Sequence, residues 1–385
     1  MIETVGVVVA LLTLMPLSGN TIPYSLYFHV PFCTRKCDYC HFFVLPDQER
    51  FKKIYLAALR REWQLRFPLL PSTTPASIYF GGGTPALLNP SAFQEILSLI
   101  SPSSDCEITL EANPENVTLD TMRSFHTCGI NRISLGVQAL NDPLLTTLTR
   151  THGARRAIDA VEETARAGFD NISIDLMYDL PGQTLYQWRQ TLQQAIQLPI
   201  SHLSLYNLTI EPHTAFYKRR TTFQQPPPDT SLAMLNEAVE VLGAAGLHRY
   251  EISAFARNNC TSRHNTGYWT GRPFLGLGPS AFSYWEGSRF RNVAHLNKYA
   301  KAVEAGQDPA DFHETLPFDE QLKEHLAIGL RLLKGVPMQD WPDPIAQKLT
   351  HLIQEGFLEQ TPTSLRLTSR GLLFHDTVAE EIMSS

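Results

Sequence analysis

Cysteine is scarce in this chain, with six residues in 385. That is too few for a disulfide-stapled scaffold, and a chain of this length buries an ample core without one. Positive charge is also in short supply. The balance of 32 Lys and Arg against 38 Asp and Glu leaves a net charge of -6. No global electrostatic case remains for nucleic acid or an anionic membrane as partner. Long apolar runs are missing too. Val5 to Leu17 is shorter than the ~20 residues that span a bilayer. Glu3 stands where a secretory signal would carry a basic residue, and no clear small-x-small cleavage site follows. We expect residues 1–23 to be an extension ahead of the working domain, with Met15 as the true initiator and no stable membrane span. No low-complexity tract interrupts the rest, whose composition is that of a soluble globular protein.

What is present is an alternation of short β-rich runs with helical patterns. Strands are predicted at 24–30, 76–80, 106–112, 132–137, 171–178 and 202–208. Helices fall between them, near 47–66, 91–100, 118–128, 141–149, 154–167 and 184–198. Asn89, Thr118 and Asp142 are placed as helix caps or first-turn residues. Such alternation predicts a parallel sheet with helices outside it. Periodicity leaves an open doubly wound sheet and a partial barrel as alternatives. In either, ligands bind at the carboxyl ends of the strands, and the unusual residues fall there. The cysteines follow the first strand, "GGGTP" the second, and Glu111 closes the third; Gln138 follows the fourth and Asp175 lies late in the fifth.

Residues 219–229 read as a linker, 230–245 as a helix, 248–255 as one strand, and 256–295 as loops with short strands. From Pro317 the pattern runs helix (319–333), helix (343–354), strand (357–361), strand (364–368), helix (370–383). That predicts a small winged-helix-like module. DNA binding is discounted for it, because Lys348, Arg366 and Arg370 stand against seven acidic residues in 335–385.

Three of the six cysteines sit in "HVPFCTRKCDYCHFF", residues 29–43: Cys33, Cys37 and Cys40, separated by three residues and then two. Cysteine thiolates ligate iron–sulfur clusters. A four-iron cluster held by three of them keeps one iron open to a small molecule. Tetrahedral zinc is the rival, with His29 or His41 completing a Cys₃His site. A redox pair would need only two cysteines. Cys106, Cys128 and Cys260 are scattered and read as plain core or surface thiols. The glycine triplet Gly81–Gly83 is by itself as consistent with a simple turn as with close approach to a ligand.

Cys-x-x-x-Cys-x-x-Cys followed by an aromatic residue is the signature of the radical S-adenosylmethionine superfamily. Here "LYFHVPFCTRKCDYCHFF", "IYFGGGTPALL", "ITLEANPENVT", "NRISLGVQALNDPLLTTLTRTH", "SIDLMYDLPGQT", "LSLYNLTIEPHT" and "RHNTGYW" follow one another. From about Ser25 to the C-terminus the chain resembles the oxygen-independent coproporphyrinogen III oxidase family, and within it the HemW-type heme chaperones. The resemblance implies an α/β fold, a partial (β/α)6 radical SAM barrel with a C-terminal mixed α/β region ending in a winged-helix-like module. It divides the chain into the extension 1–23, a core barrel 24–250, a heme-motif and connecting region 251–316, and the module 317–385.

The same resemblance implies a [4Fe–4S] cluster on Cys33, Cys37 and Cys40, with S-adenosylmethionine chelating the fourth iron. Tyr27, Gly82, Gly83, Thr84, Glu111, Gln138, Arg150 and Asp175 match residues that contact S-adenosylmethionine in the family. Taken singly, Glu111, Gln138, Arg150 and Asp175 each also read as a surface or strand-end polar residue. Two positions depart from the pattern: Thr149 replaces the usual glycine before the arginine, and His41 the usual Asp after the third cysteine. Oxidase members carry a further cysteine where this chain has Phe42, and a longer N-terminal segment than the twenty or so residues here. "HNTGYW" matches the chaperones' His-Asn-x-x-Tyr-Trp motif. It implies His264 as an axial heme ligand, with Tyr268 and Trp269 as a flat apolar wall; Arg263 and Arg272 are expected at the propionates. From the residues alone, a packed loop whose His bonds a carbonyl accounts for the motif equally well.

The function implied is a heme chaperone that binds heme and passes it to an acceptor protein in the cytoplasm. A flavodoxin- or ferredoxin-type donor would supply electrons. The alternative is a coproporphyrinogen-decarboxylating oxidase, and the bland reading is a structural cluster protein.

Overall fold

The computed structural model describes residues 23–384; Val5–Leu17 and Met15 lie outside them. Six expected strands form: β1 (Ser25–Val30), β2 (Ser77–Gly82), β3 (Glu107–Ala112), β4 (Arg132–Gln138), β5 (Ile172–Tyr178) and β6 (His202–Asn207). They pair in parallel in that order. Their near-continuous burial, seen in β1, β3 and β5, is what a strand covered on both faces shows. Helices α1 (Glu49–Arg66), α2 (Pro90–Ile100), α3 (Leu119–Thr127), α4 (Asp142–Thr147), α5 (Ala154–Arg166) and α6 (Leu185–Ala195) lie between them in sequence. Phe28, Phe80, Phe93 and Phe125 form a line of rings 4.9, 4.9 and 5.4 Å apart that joins β1 and β2 to α2 and α3.

The caps follow the sequence with adjustments. Thr118 and Thr121 make a reciprocal capping box at α3. Asn89 makes no side-chain bond, and Pro90 opens α2 with its fixed φ. Asn141 caps α4, while Asp142 reaches forward to the amide of Ala154 at the start of α5 (2.7 Å).

Beyond β6 the expectations need correction. The helix expected from 230 begins at Pro228 as α7 (Pro228–Ala244), which shortens the linker. The single strand expected at 248–255 is a hairpin, β7 (His248–Glu251) and β8 (Ala254–Ala256), with β8 antiparallel to β6. Glu251 accepts the Ser253 amide (3.1 Å) and holds the turn without glycine or proline, so apolar alternation runs straight through it. The stretch expected as loops with short strands contains helix α8 (Arg263–Trp269). It also contains β9 (Phe274–Leu277), β10 (Phe282–Trp285) and β11 (Ser288–Asn292). β9 pairs in parallel with β1; β10, β11 and β12 (Ala310–Thr315) continue antiparallel. The described residues thus form a twelve-stranded sheet in which β1 is interior and six β/α units make an open barrel.

The C-terminal module has its own core of Leu322, Leu326, Leu330, Ile345, Leu349, Val378 and Ile382. It holds α10 (Phe318–Gly329), which follows α9 (Leu296–Glu304), then α11 (Asp343–Gln354) and a three-stranded sheet. The helix expected over 370–383 is two, Ser369–Leu373 and His375–Met383.

One buried carboxylate fastens the added strands to the barrel. Glu62 of α1 is fully buried and accepts from the Gly278 amide (2.7 Å), Asn292 Nδ2 (2.6 Å) and Tyr299 Oη (2.6 Å). Those donors come from the turn after β9, the end of β11 and α9. Removing the acceptor leaves three dry donors. Glu62→Ala is expected to cost about 3 kcal/mol of stability, read as a lower urea midpoint. A loss under about 1 kcal/mol would mean that the three donors find other partners.

Candidate functional site

The cysteine loop is closed at its base. Phe32–Cys33 pairs in parallel with Leu45–Pro46, and Leu45 and Asp47 donate to the carbonyls of Pro31 (2.6 Å) and Cys33 (3.0 Å). Inside the loop the Cys40 amide donates to the Cys37 carbonyl (3.1 Å). Asp38 stitches the loop to the barrel: its amide donates to Thr149 Oγ1 (3.0 Å), its carbonyl accepts from Phe216, and its carboxylate pairs with Arg219. Thr149 has φ 56°, the left-handed region where glycine is at ease. A side chain costs about 1–2 kcal/mol there, and the bond to Asp38 offsets part of it. That accounts for the departure from the family's glycine.

All three thiols are free and partly exposed. Cys33 Sγ lies 3.6 Å from Thr84 Oγ1, and Arg150 Nη1 donates to Cys37 Sγ (3.5 Å). Burial pushes the Cys33 thiol up to about 11, and the charges of Cys40 and Cys37 add to the shift. A thiolate set here therefore needs a bound cation to hold it ionised. Among the described residues no group of three or more His, Cys, Asp and Glu is drawn to metal-holding distance. His29 is not a spare ligand. Its Nε2–H donates to the Phe43 carbonyl (3.1 Å), so its Nδ1 accepts from Tyr27 Oη (3.1 Å). His41 stacks on Phe42 (4.5 Å) in the exposed part of the loop.

The glycine turn is tight against the cysteine strand. A Cβ on Gly82, at φ 112°, would sit 2.6 Å from the His29 ring, and one on Gly83 would sit 2.6 Å from the Phe32 carbonyl. The turn's amides are all spent on protein: Gly82 to Glu111 Oε2 (3.1 Å), Gly83 to the Val30 carbonyl (2.9 Å), Thr84 to the Phe32 carbonyl (2.7 Å). Any ammonium contact from this turn falls to its carbonyls. The rest of the strand ends form one polar network. Thr84 Oγ1 accepts from Asn113 Nδ2 (2.9 Å), and Arg150 Nη2 donates to Asn113 Oδ1 (2.6 Å) and the Gly136 carbonyl (2.8 Å). Gln138 stands at φ 66° where the β4–β5 register shifts. Arg150 Nε is buried without a partner among the described residues. This orphan donor beside a thiol set fits an anionic group bound at the strand ends.

Deeper in the barrel Tyr79 Oη donates to Glu111 Oε1 (2.7 Å), and Ser134 Oγ to Asp175 Oδ1 (3.4 Å). Burial raises Glu111 to about 7 and Asp175 to about 6; the charge of Asp175 raises Glu111 further, and Arg132 eases both. The sequence reading missed Tyr79, Asn113 and Arg132. Period-two alternation from Ser77 to Gly81 was a usable signal for Tyr79, and Asn-Pro at a strand end for Asn113. The fully buried Arg132 gave none.

The structure encloses His264 within the protein. It lies on α8, which enters the barrel at the amino ends of β1, β2 and β3. Glu107 accepts the amides of Arg263 and His264 (3.0 Å each), and Ser262 caps the helix through Asn265. His264 is fully buried, with Nδ1 on Ser77 Oγ (2.9 Å), Nε2 on Tyr268 Oη (2.7 Å) and its ring against Tyr79 (4.9 Å). Neither nitrogen is free. Hydroxyls, not a carbonyl, satisfy it, on a helix and not a loop. Arg263 is turned away to the Asp105 carbonyl (2.6 Å). Tyr268, Trp269 and Arg272 line a cavity of about 660 Å³ that reaches from Tyr27 and the loop residues His41, Phe42 and Phe43 to β10, β11 and α10. That volume suits a cofactor-sized molecule.

Residues 27–195 match the radical SAM superfamily and residues 316–374 the HemN C-terminal domain. These site and fold features define a radical SAM protein. The chain is 32% identical to the heme chaperone HemW of Lactococcus lactis subsp. lactis (strain IL1403), over 94% of this chain and 97% of that protein. It is 38% identical to the heme chaperone HemW of Buchnera aphidicola subsp. Acyrthosiphon pisum (strain APS), over 93% and 98%. In fold it is similar to the coproporphyrinogen III oxidase HemN of Escherichia coli, at TM-score 0.82 and 23% identity, over 95% and 91%. The chain belongs to the HemW family of radical SAM proteins. No helix among the described residues is long and apolar enough to cross a membrane.

The buried acids give a signed pH effect. Glu111 keeps its proton to about 7 in the fold, against about 4.3 in the unfolded chain. Stability from this group is therefore full below the unfolded value and falls as pH rises through the folded one. Glu111→Gln removes the titration. Its stability, followed by urea denaturation, is expected to fall less than that of the wild type between about pH 5 and pH 7.5. Parallel curves would contradict the shift.

Proposed function

We propose that this chain is a heme-binding protein that receives heme and passes it to an acceptor protein, with a [4Fe–4S] cluster on Cys33, Cys37 and Cys40. S-adenosylmethionine binds at the strand ends beside it. One observation carries the reading: three free thiols stand on a loop whose His41, Phe42 and Phe43 line an aromatic cavity of about 660 Å³, in a chain similar along most of its length to heme chaperones.

The residues divide the work. Arg150 donates to Cys37 Sγ and ties that cysteine to the strand ends. Thr84 and Asn113 hold Arg150 and Cys33 in register. The glycine turn, Glu111, Gln138 and Asp175 would hold the S-adenosylmethionine, and Tyr27 and Tyr79 pack as a stacked pair (6.2 Å) among them. Bound together, the cluster and S-adenosylmethionine supply one-electron chemistry, and a flavodoxin- or ferredoxin-type donor feeds it. The cysteine loop is open to solvent, so its thiolates need the reducing cytoplasm. We take the working units as 24–250, 251–316 and 317–385, the division implied by the resemblance.

The oxidase is the second reading. The cavity touches Phe42 and Phe43 of the cysteine loop, which brings a porphyrin side chain toward the cluster. Anaerobic reconstitution with iron and sulfide, followed by paired assays, separates the two. The chaperone reading expects a Soret band on hemin addition and no protoporphyrinogen from coproporphyrinogen. Turnover of coproporphyrinogen would favour the oxidase, and absence of hemin uptake would end the chaperone reading. Cys37→Ala is expected to lose the brown charge-transfer absorbance while still taking up hemin; a full cluster in that variant would mean the ligands are wrong.

A further inference from the structure

Charge around the cysteine loop runs against the charge of the chain. Residues 33–46 and 211–228 carry five Lys and Arg (Arg35, Lys36, Lys218, Arg219 and Arg220) against Asp38 and Glu211, in a chain of net charge -6. We propose that this basic rim is the docking surface for an acidic one-electron donor of the flavodoxin class, with Arg35 and Lys218 as its steering charges. This rests on the cluster reading above and assigns the surface through which the cluster is reduced.

Asp38 makes one surface of the two segments. Its carbonyl accepts from the Phe216 amide (2.9 Å), its carboxylate pairs with Arg219, and the neighbouring Tyr39 ring packs edge-on against Phe216 (6.2 Å). Phe216 and Lys218 belong to the one-turn helix Ala215–Lys218, capped by Thr214. Three of the five cations are committed within the protein. Lys36 Nζ donates to the Phe42 carbonyl (3.1 Å), and Arg219 is neutralised by Asp38. Arg220 lies over the Tyr217 ring (4.1 Å) with Nη1 on the Tyr217 carbonyl (2.8 Å). Arg35, between Cys33 and Cys37, and Lys218 are exposed, and neither makes a side-chain hydrogen bond or ion pair among the described residues.

Exposed charges of this kind add little to stability, because water solvates them and salt screens them. They act at range instead. Cations held on one face raise the encounter rate with a partner of opposite sign, and they orient it as it arrives. This patch flanks three partly exposed thiols, so its field leads a partner to the place where an electron has to enter. Beside it the ring of Phe42 is 53% exposed and offers the aromatic contact that a docked partner covers. A transient redox complex needs only a small interface. In the docked pair one electron passes from the flavin hydroquinone, left as the semiquinone, to the [4Fe–4S] cluster, taken from the 2+ to the 1+ state.

The test is stopped-flow reduction of the anaerobically reconstituted full chain by flavodoxin hydroquinone with S-adenosylmethionine present, read as bleaching of the brown band. The wild-type rate constant should fall about tenfold or more as salt rises from about 20 mM to about 300 mM. Arg35→Glu combined with Lys218→Glu should be about tenfold slower at low salt and nearly insensitive to salt. Lys218→Glu alone leaves the cysteine loop untouched and should slow the reaction about threefold. Reduction by the photogenerated 5-deazariboflavin radical, small and uncharged, should match wild type in both variants. Carbodiimide coupling of flavodoxin carboxylates to the full chain, with or without its cluster, should map to Lys218. A salt-independent wild-type rate, variants as fast as wild type, variants slowed equally with both reductants, or coupling only at other lysines would overturn the docking surface and leave the cluster reading standing. No brown band in the reconstituted wild type would end both.

Discussion

The site depends on one guanidinium. Arg150 joins the cysteine loop to the ends of two strands: one nitrogen donates to Cys37 Sγ, another to Asn113 Oδ1 and the Gly136 carbonyl. A parallel sheet delivers its strand ends to one rim but does not fix the loops that follow them. Here the fixing is done by a planar fork, whose spread donors can reach three elements at once. A lysine would offer a single point and no such geometry. Gly136 belongs to the same constraint, since a Cβ there would press on Asn113 and Gln138 at 3.0 and 3.1 Å.

Strain collects around that fork. Gln138 and Thr149 are both non-glycine residues in the left-handed region, on either side of the segment that leads to Arg150. Each costs free energy that neighbouring contacts must offset. At Thr149 the offsetting contact is the bond to Asp38, which lies between Cys37 and Cys40. The backbone conformation before Arg150 and the position of the cysteine loop are thus set by each other. Burial supplies the second electrostatic layer, with Glu111 and Asp175 raised and the charge of Arg132 easing both.

The parts legible in the sequence are those with local causes. Six strands read correctly because strands covered on both faces are long apolar runs between helical patterns. That the polar strand-end residues share one rim was legible because a parallel sheet puts its strand ends together. The hairpin after α7 did not, because Glu251 closes its turn in place of glycine or proline. Helix α8 did not, because seven residues with Gly267 and Thr266 inside carry little helical signal. The cavity was invisible for a topological reason. Its walls come from β1, the cysteine loop, β9 to β11 and α10, and nothing local in the sequence says that β9 returns to pair with β1.

That topology also explains how His264 can shape a cavity that it does not line. α8 closes the amino end of the barrel, held by Glu107 at its start and by His264 on Ser77 in its first turn. Four residues on, the same face presents Tyr268, whose hydroxyl binds His264 Nε2 and whose ring lies against Phe274 of β9 (4.6 Å). Trp269 follows, under the guanidinium of Arg331 (4.4 Å), which ties it to the residues just after α10. The imidazole therefore sets the depth and rotation of the helix, and through it the aromatic wall of the cavity. Under the proposed heme-binding reading, losing His264 would act by moving that wall, and losing an iron ligand would act by changing the coordination. The two leave different spectra, so a loss of affinity on its own does not identify the ligand.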